Sequence, residues 1–135
     1  MKALLFDDIL NISQQIADAS GKEDEAAREE AYKALIKLCA ANDNSPKDHP
    51  LQWEALADFT LDADQAIDIY EKGILCADKL SLVDSKASML LAMAIRFDEM
   101  EESEKSAETA AQLADTVDSI NNAELRAEVL DYLKS

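Results

Sequence analysis

Glycine and proline number only two each in 135 residues, and histidine and tryptophan one each. With only Gly21 and Gly73 available, a glycine-rich phosphate loop is excluded, because such a loop needs several glycines close together. Few turn residues also disfavour sheets, whereas the abundant Ala, Leu, Glu and Asp favour helices on short connections. The lone histidine, His49 between Asp48 and Pro50, reads as a solvated loop residue and has no Cys or His company for a metal site. No H-E-x-x-H or G-x-S-x-G motif occurs, and neither Cys39 nor Cys76 has a histidine close in sequence, so an enzyme is not expected. The two cysteines lie in apolar helical stretches and read as buried, reduced thiols.

Positive charge is scarce as well: 13 basic residues face 29 acidic ones, for a net charge of −16. This excess repels nucleic-acid phosphates and anionic membrane surfaces, so neither is an expected partner. Acidity runs along the whole chain, and with 48 % apolar residues the composition is that of a folded protein with an acidic surface. No apolar run approaches the ~18 residues of a membrane span. The opening "MKALLFDDILN" meets acidic residues too soon for a secretory signal, which makes the cytoplasm the expected compartment.

What the sequence has is helical periodicity. Leu5, Ile9, Ile12, Ile16 and Ala19 alternate steps of four and three, which predicts an amphipathic helix over 4–19. Ser20 and Gly21 supply a stop, and Asp24 or the acidic group around it starts a second helix to about Ala41 with Ala27, Ala31, Ala34, Leu38 and Ala41 on one stripe. "NDNSPKDHP" at 42–50 is the clearest loop, with Pro50 suited to the first turn of a third helix that runs to about Leu61. Asp62 or Asp64 caps a fourth helix with Ala63, Ala66, Ile67, Tyr70, Ile74 and Ala77 on its apolar face. A fifth helix, about 82–99, carries a seam of Val83, Ala87, Leu90, Ala94 and Phe97 and is expected to be the most enclosed. A sixth, about 103–119, carries Ala107, Ala110, Ala111, Ala114 and Val117, and Asn122 caps a last helix bearing Leu125, Val129, Tyr132 and Leu133. The fold class is therefore all-α, about seven helices in antiparallel hairpins.

Within this pattern, Trp53-x₂-Leu56-Ala57-x₂-Thr60 followed by Ala66-x₃-Tyr70 resembles the tetratricopeptide repeat, whose helix–turn–helix unit carries W-x₂-L-G-x₂-Y and then A-x₃-F. Ile9-x₂-Ile12-Ser13-x₂-Ile16 with Ala27-x₃-Ala31, and Leu90-x₂-Met93-Ala94-x₂-Phe97 with Ala107-x₃-Ala111, echo it loosely. The resemblance implies a right-handed superhelical array over 1–135: hairpins at about 3–42, 51–80 and 82–119, and a capping helix at about 122–134. The usual Gly is Ala or Ser, the closing Pro is missing and the repeat step is uneven, which leaves a compact antiparallel helical bundle as the alternative.

Candidate site residues follow from surface chemistry. Met89, Met93 and Met100 fall within about 40° of one another on the helical wheel, and flexible thioethers suit adaptable binding surfaces. With Arg96 on the same helix, and with Glu101, Glu102 and Glu104 from the run "DEMEESE", they form the candidate partner-binding set. Asp62, Asp64 and Asp68 do not make a calcium loop, since Ile67 stands where the loop needs Gly and Gly73 where it needs Glu. No cofactor is expected. These features point to a non-enzymatic interaction module, an adaptor or chaperone-like protein that binds a basic or apolar peptide or helix of another protein. The alternative is an acidic antidote or immunity-type inhibitor that occludes the basic site of a toxin or nuclease. A homodimer stays open.

Overall fold

The computed structural model describes residues 2–135, with side chains from residue 5 onward. Among the described residues it is all-α, with seven α-helices and no strand. The helices are α1 (Lys2–Gly21), α2 (Glu25–Asn42), α3 (Pro50–Phe59), α4 (Ala63–Leu80), α5 (Val83–Glu99), α6 (Ser103–Thr116) and α7 (Ala123–Lys134), and a 3-10 turn, Val117–Ser119, follows α6. The third helix thus stops two residues before Leu61, and the sixth tightens into the 3-10 turn rather than running on to residue 119.

Short polar side chains start the helices by accepting backbone N–H groups that have no intrahelical partner. Asp24 accepts from Ala27 at 3.1 Å, Asp62 from Gln65 at 3.0 Å and Asn122 from Leu125 at 2.9 Å. Where they end, scarce glycine is replaced. Glu23, Ser81 and Glu101 adopt left-handed φ of 56°, 57° and 58°. The following N–H then returns to a carbonyl five residues back: Asp24 to Ala19, Leu82 to Ala77 and Glu102 to Phe97, at 2.8, 2.9 and 2.9 Å. This geometry ordinarily selects Gly, so each turn carries a conformational cost. Gly21, expected with Ser20 as the first stop, is the last residue of α1, and the left-handed turn that follows falls at Glu23.

Helices α1/α2, α3/α4 and α5/α6 pack as consecutive hairpins. Each later odd-numbered helix also rests on both helices of the hairpin before it: α3 on α1 and α2, α5 on α3 and α4, α7 on α5 and α6. The second helices, α2, α4 and α6, have no close backbone approach to one another. Serial packing of this kind is compatible with a helical-repeat fold.

The hairpins meet around Trp53. Its side chain joins Ile16, Ala31, Leu35, Cys39 and Leu56 in one apolar cluster, while Ala57, Ala66, Ile67, Tyr70, Met89, Met93 and Phe97 form the next. Gly73 sits between them with no room for a side chain. A Cβ there would lie 2.8 Å from the Trp53 Cβ and 2.6 Å from the Met89 Sδ. Helix α5 buries seven residues, more than any other described helix, although the shorter α3 buries five of its ten.

Two buried faces differ from the expected stripes. In α2 the buried residues are Ala31, Leu35 and Cys39, while Ala27, Ala34 and Ala41 are exposed. In α6 they are Ser106, Thr109, Leu113 and Thr116, while Ala107, Ala111 and Ala114 are exposed. Burying a leucine removes more apolar surface than burying an alanine, so Leu35 and Leu113 set which way each helix turns.

Glycine-sized changes therefore act in opposite directions at two positions. Ser81→Gly relieves the left-handed turn and raises stability by ~0.5–1 kcal/mol. Gly73→Ala forces the three-helix crossing apart and lowers stability by ~1–3 kcal/mol. Urea unfolding followed by Trp53 fluorescence measures both.

Candidate functional site

The most developed surface feature lies between α4 and α6. Both helices pack on α5 without meeting, which leaves a groove of about 660 Å³ floored by α5. Leu90, Met93, Phe97 and Met100 stand at steps of three and four along α5 and line the floor, joined by Ile67 and Ile74 of α4. The α4 rim carries Asp64, Asp68, Glu71, Leu75 and Asp78, and the α6 rim carries Lys105, Glu108, Thr109 and Gln112. Leu75 is 70 % exposed, an apolar knob amid carboxylates. Hollows of about 480 Å³ between α1 and α2, and about 330 Å³ beneath the 43–49 loop, are smaller.

The groove stays open partly because of how α6 buries its hydroxyls. Thr109 donates to the Lys105 carbonyl at 2.8 Å and Thr116 to the Leu113 carbonyl at 2.7 Å, so both present methyl groups to the core without an unpaired polar atom. These residues are short. They do not reach across to α4.

The candidate residues divide between this groove, the core and other contacts. Half-buried Met100 and Met93, 6 % exposed, line the groove, but Met89 is fully buried against Gly73 and cannot meet a partner at the surface. The helical wheel put the three methionines on one face but could not tell which part of that face α4 would cover. Arg96 turns away to the C-terminus of α3, where it donates to the carbonyls of Thr60 at 3.0 Å and Ala57 at 3.4 Å. Glu101, Glu102 and Glu104 are exposed at the α5–α6 turn. Asp98, the puzzling first residue of "DEMEESE", accepts hydroxyls from Ser106 and, at 2.6 Å, from Tyr132, tying the turn to α7. Those two hydrogen bonds, Ser106 first, hold its carboxyl below the ordinary Asp range.

A second polar cluster surrounds the C-terminus of α3. Arg28 donates to the Phe59 carbonyl at 2.9 Å, opposite the Arg96 contacts, so cations from α2 and α5 grip the negative end of the helix. Thr60 gives its proton to the Leu56 carbonyl at 2.7 Å, which makes Tyr32 the donor in the 2.6 Å contact between their hydroxyls. In the last turn of α3 Asp58 accepts from Tyr70, and one turn further back Glu54 accepts from Ser88. Removal from solvent raises both carboxyls above their ordinary range, and the two hydroxyls only partly offset it. In Asp58, Arg96 offsets it further.

The remaining sequence candidates have structural roles. His49 is the N-cap of α3 rather than a solvated loop residue, its Nδ1 accepting the Leu51 N–H at 3.1 Å beside Pro50. Asp48 accepts Gln52 and Trp53 side-chain N–H groups, each at 2.8 Å, and the Asn44 N–H at 2.9 Å, pinning the loop to the helix. Both cysteines are free; Cys39 is buried and Cys76 half-buried. Burial, reinforced by Asp48 and Asp43, pushes the Cys39 thiol up to about 12, and burial with Asp48 pushes Cys76 to about 11. At neutral pH both are protonated and poor nucleophiles. Among the described residues, no three His, Cys, Asp or Glu side chains are placed to hold a metal ion. No helix of the described residues is long and apolar enough to cross a membrane.

Comparison with known proteins returns no counterpart: no family model matches the chain, and no curated protein or solved structure matches it significantly.

Glu54 supplies a pH test. A carboxyl raised in the folded state adds stability that is complete below the ordinary carboxylate value and is lost as pH rises through the folded value. Glu54→Gln keeps an acceptor for Ser88 and removes the titration. Its urea midpoint exceeds that of the unmodified chain at pH 7, and the difference shrinks at pH 4.

Proposed function

We propose that this chain is a non-enzymatic protein-interaction module, adaptor or chaperone-like, that holds a basic or apolar helix or peptide of another protein in the groove between α4 and α6. The reading rests on one observation: an open groove between polar rims, its floor the apolar side chains of Leu90, Met93 and Phe97, packed side by side, and of half-buried Met100, with exposed Leu75 on its edge. Filling the groove removes Leu75, Ile74 and Met100 from water, and the carboxylates along α4 steer and orient a basic partner. Met93 and Met100 adapt their unbranched side chains to whatever ridge enters.

Membership of the tetratricopeptide class, in a divergent form, belongs to the same proposal. Burial of Trp53, Leu56, Ala57, Ala66 and Tyr70, and the closeness of Gly73 to Trp53, support it. So does the way each hairpin's first helix rests on both helices of the preceding hairpin. A cytoplasmic location fits the two free thiols.

A second reading, an acidic antidote to a basic toxin or nuclease, draws on Glu101, Glu102 and Glu104. All three are exposed, and none takes part in the ion pairs among the described residues, Lys33–Glu29, Lys72–Asp43 and Lys86–Asp78. Affinity capture from native lysate, quantified by mass spectrometry, separates the two. The groove reading predicts that Leu75→Glu with Met100→Glu loses the specific partner, while Gln at positions 101, 102 and 104 retains it. The opposite pattern supports the antidote, and a partner retained by both variants removes both readings.

A further inference from the structure

The two rims of the groove differ in charge. On α4, Asp64, Asp68, Glu71 and Asp78 are exposed, and among the described residues only Asp78 has an ion pair, with Lys86 at 2.8 Å. On α6, Lys105 and Glu108 cancel and Gln112 is neutral. At 1.5 Å per residue the α4 carboxylates span ~21 Å, with the first three one helical turn apart. We infer that the occupant is an amphipathic α-helix of about four turns, lying along α4 with a Lys- or Arg-bearing flank against Asp64, Asp68 and Glu71 and its apolar ridge on the α5 floor. This rests on the interaction-module reading above and specifies the partner's chemistry.

Three observations favour such a helix over other occupants. First, the floor side chains are apolar and the described fold has no strand edge, so an extended peptide would leave its amide groups unpaired there. A helix satisfies its amides internally. Second, the floor side chains step by three and four along α5, the spacing at which apolar residues line up on a partner helix. Third, a second copy of this chain would bring a net charge of −16 against an already acidic rim. A basic flank instead offsets that rim.

The test uses the full chain labelled at its methionine methyls and two synthetic 18-residue helical peptides sharing one Leu/Met ridge, with a flank of Lys in one and Gln in the other. The Lys peptide shifts the Met93 and Met100 signals, leaves the buried Met89 unmoved, and binds about tenfold tighter at low salt than the Gln peptide, the worth of two or three exposed ion pairs. Asp68→Lys with Glu71→Lys, at two exposed positions, abolishes that preference, whereas Glu108→Lys on the opposite rim leaves the preference for Lys over Gln largely intact. Equal affinity for the two peptides overturns the basic-flank inference and leaves the groove reading standing. If neither peptide moves Met93 or Met100, both fall. If those signals shift with protein concentration alone, the occupant is a second copy and the inference is overturned.

Discussion

The first two hairpins and α5 converge on the point where Gly73 faces Trp53 and Met89. No Cβ fits there, since it would come within 2.8 Å of one neighbour and 2.6 Å of the other, so α3, α4 and α5 are held at a separation only glycine permits. From that crossing Trp53 reaches back into the cluster of Ile16, Leu35 and Cys39, and its indole N–H fixes the 43–49 loop through Asp48 at 2.8 Å. Lys72, 4.6 Å above the same ring, pairs with Asp43 on that loop. One side chain thereby links the first two hairpins and their connection. The same crossing fixes how α4 lies on α5, and so how far the acidic rim stands from the Met93–Met100 floor.

Several of the 13 basic residues hold the fold together. Arg28 and Arg96 hold the carbonyl end of α3, and Lys72 and Lys86 occupy Asp43 and Asp78. Among the described residues Asp64, Asp68 and Glu71 have no ion pair, and neither do the glutamates of the α5–α6 turn. A buried crossing and a small supply of positive charge together produce a surface whose open apolar groove has one charged side.

Much of the fold was legible in the sequence because the boundary signals are local. Asp24, Asp62 and Asn122 cap helices, Pro50 opens α3, and residues 43–49 form a loop, each as a short-range backbone requirement dictates. What stayed hidden depends on neighbours. Alanine stripes in α2 and α6 looked like packing faces, yet alanine is too small to orient a helix against a competing leucine. Thr109 and Thr116 read as polar, but their hydroxyls turn to their own helix backbone. The site was half legible: Met93 and Met100 line the groove, whereas the burial of Met89 and the diversion of Arg96 depend on where α4 and α3 lie. Asp64 was read as a possible cap and, with Asp68, as part of a failed calcium loop, Glu71 and Asp78 drew no reading, and only the gap between α4 and α6 makes the four a rim.

Function on this account belongs to the second-helix side of the array, over α5, and not to the exposed faces of the first helices. Site-specific photo-crosslinking tests that claim most directly. A benzophenone side chain at position 75, on the exposed α4 rim, is compared with the same group at positions 10 and 95, exposed on α1 and α5. The account predicts a partner adduct from position 75 alone; adducts from 10 or 95 with none from 75 would contradict it.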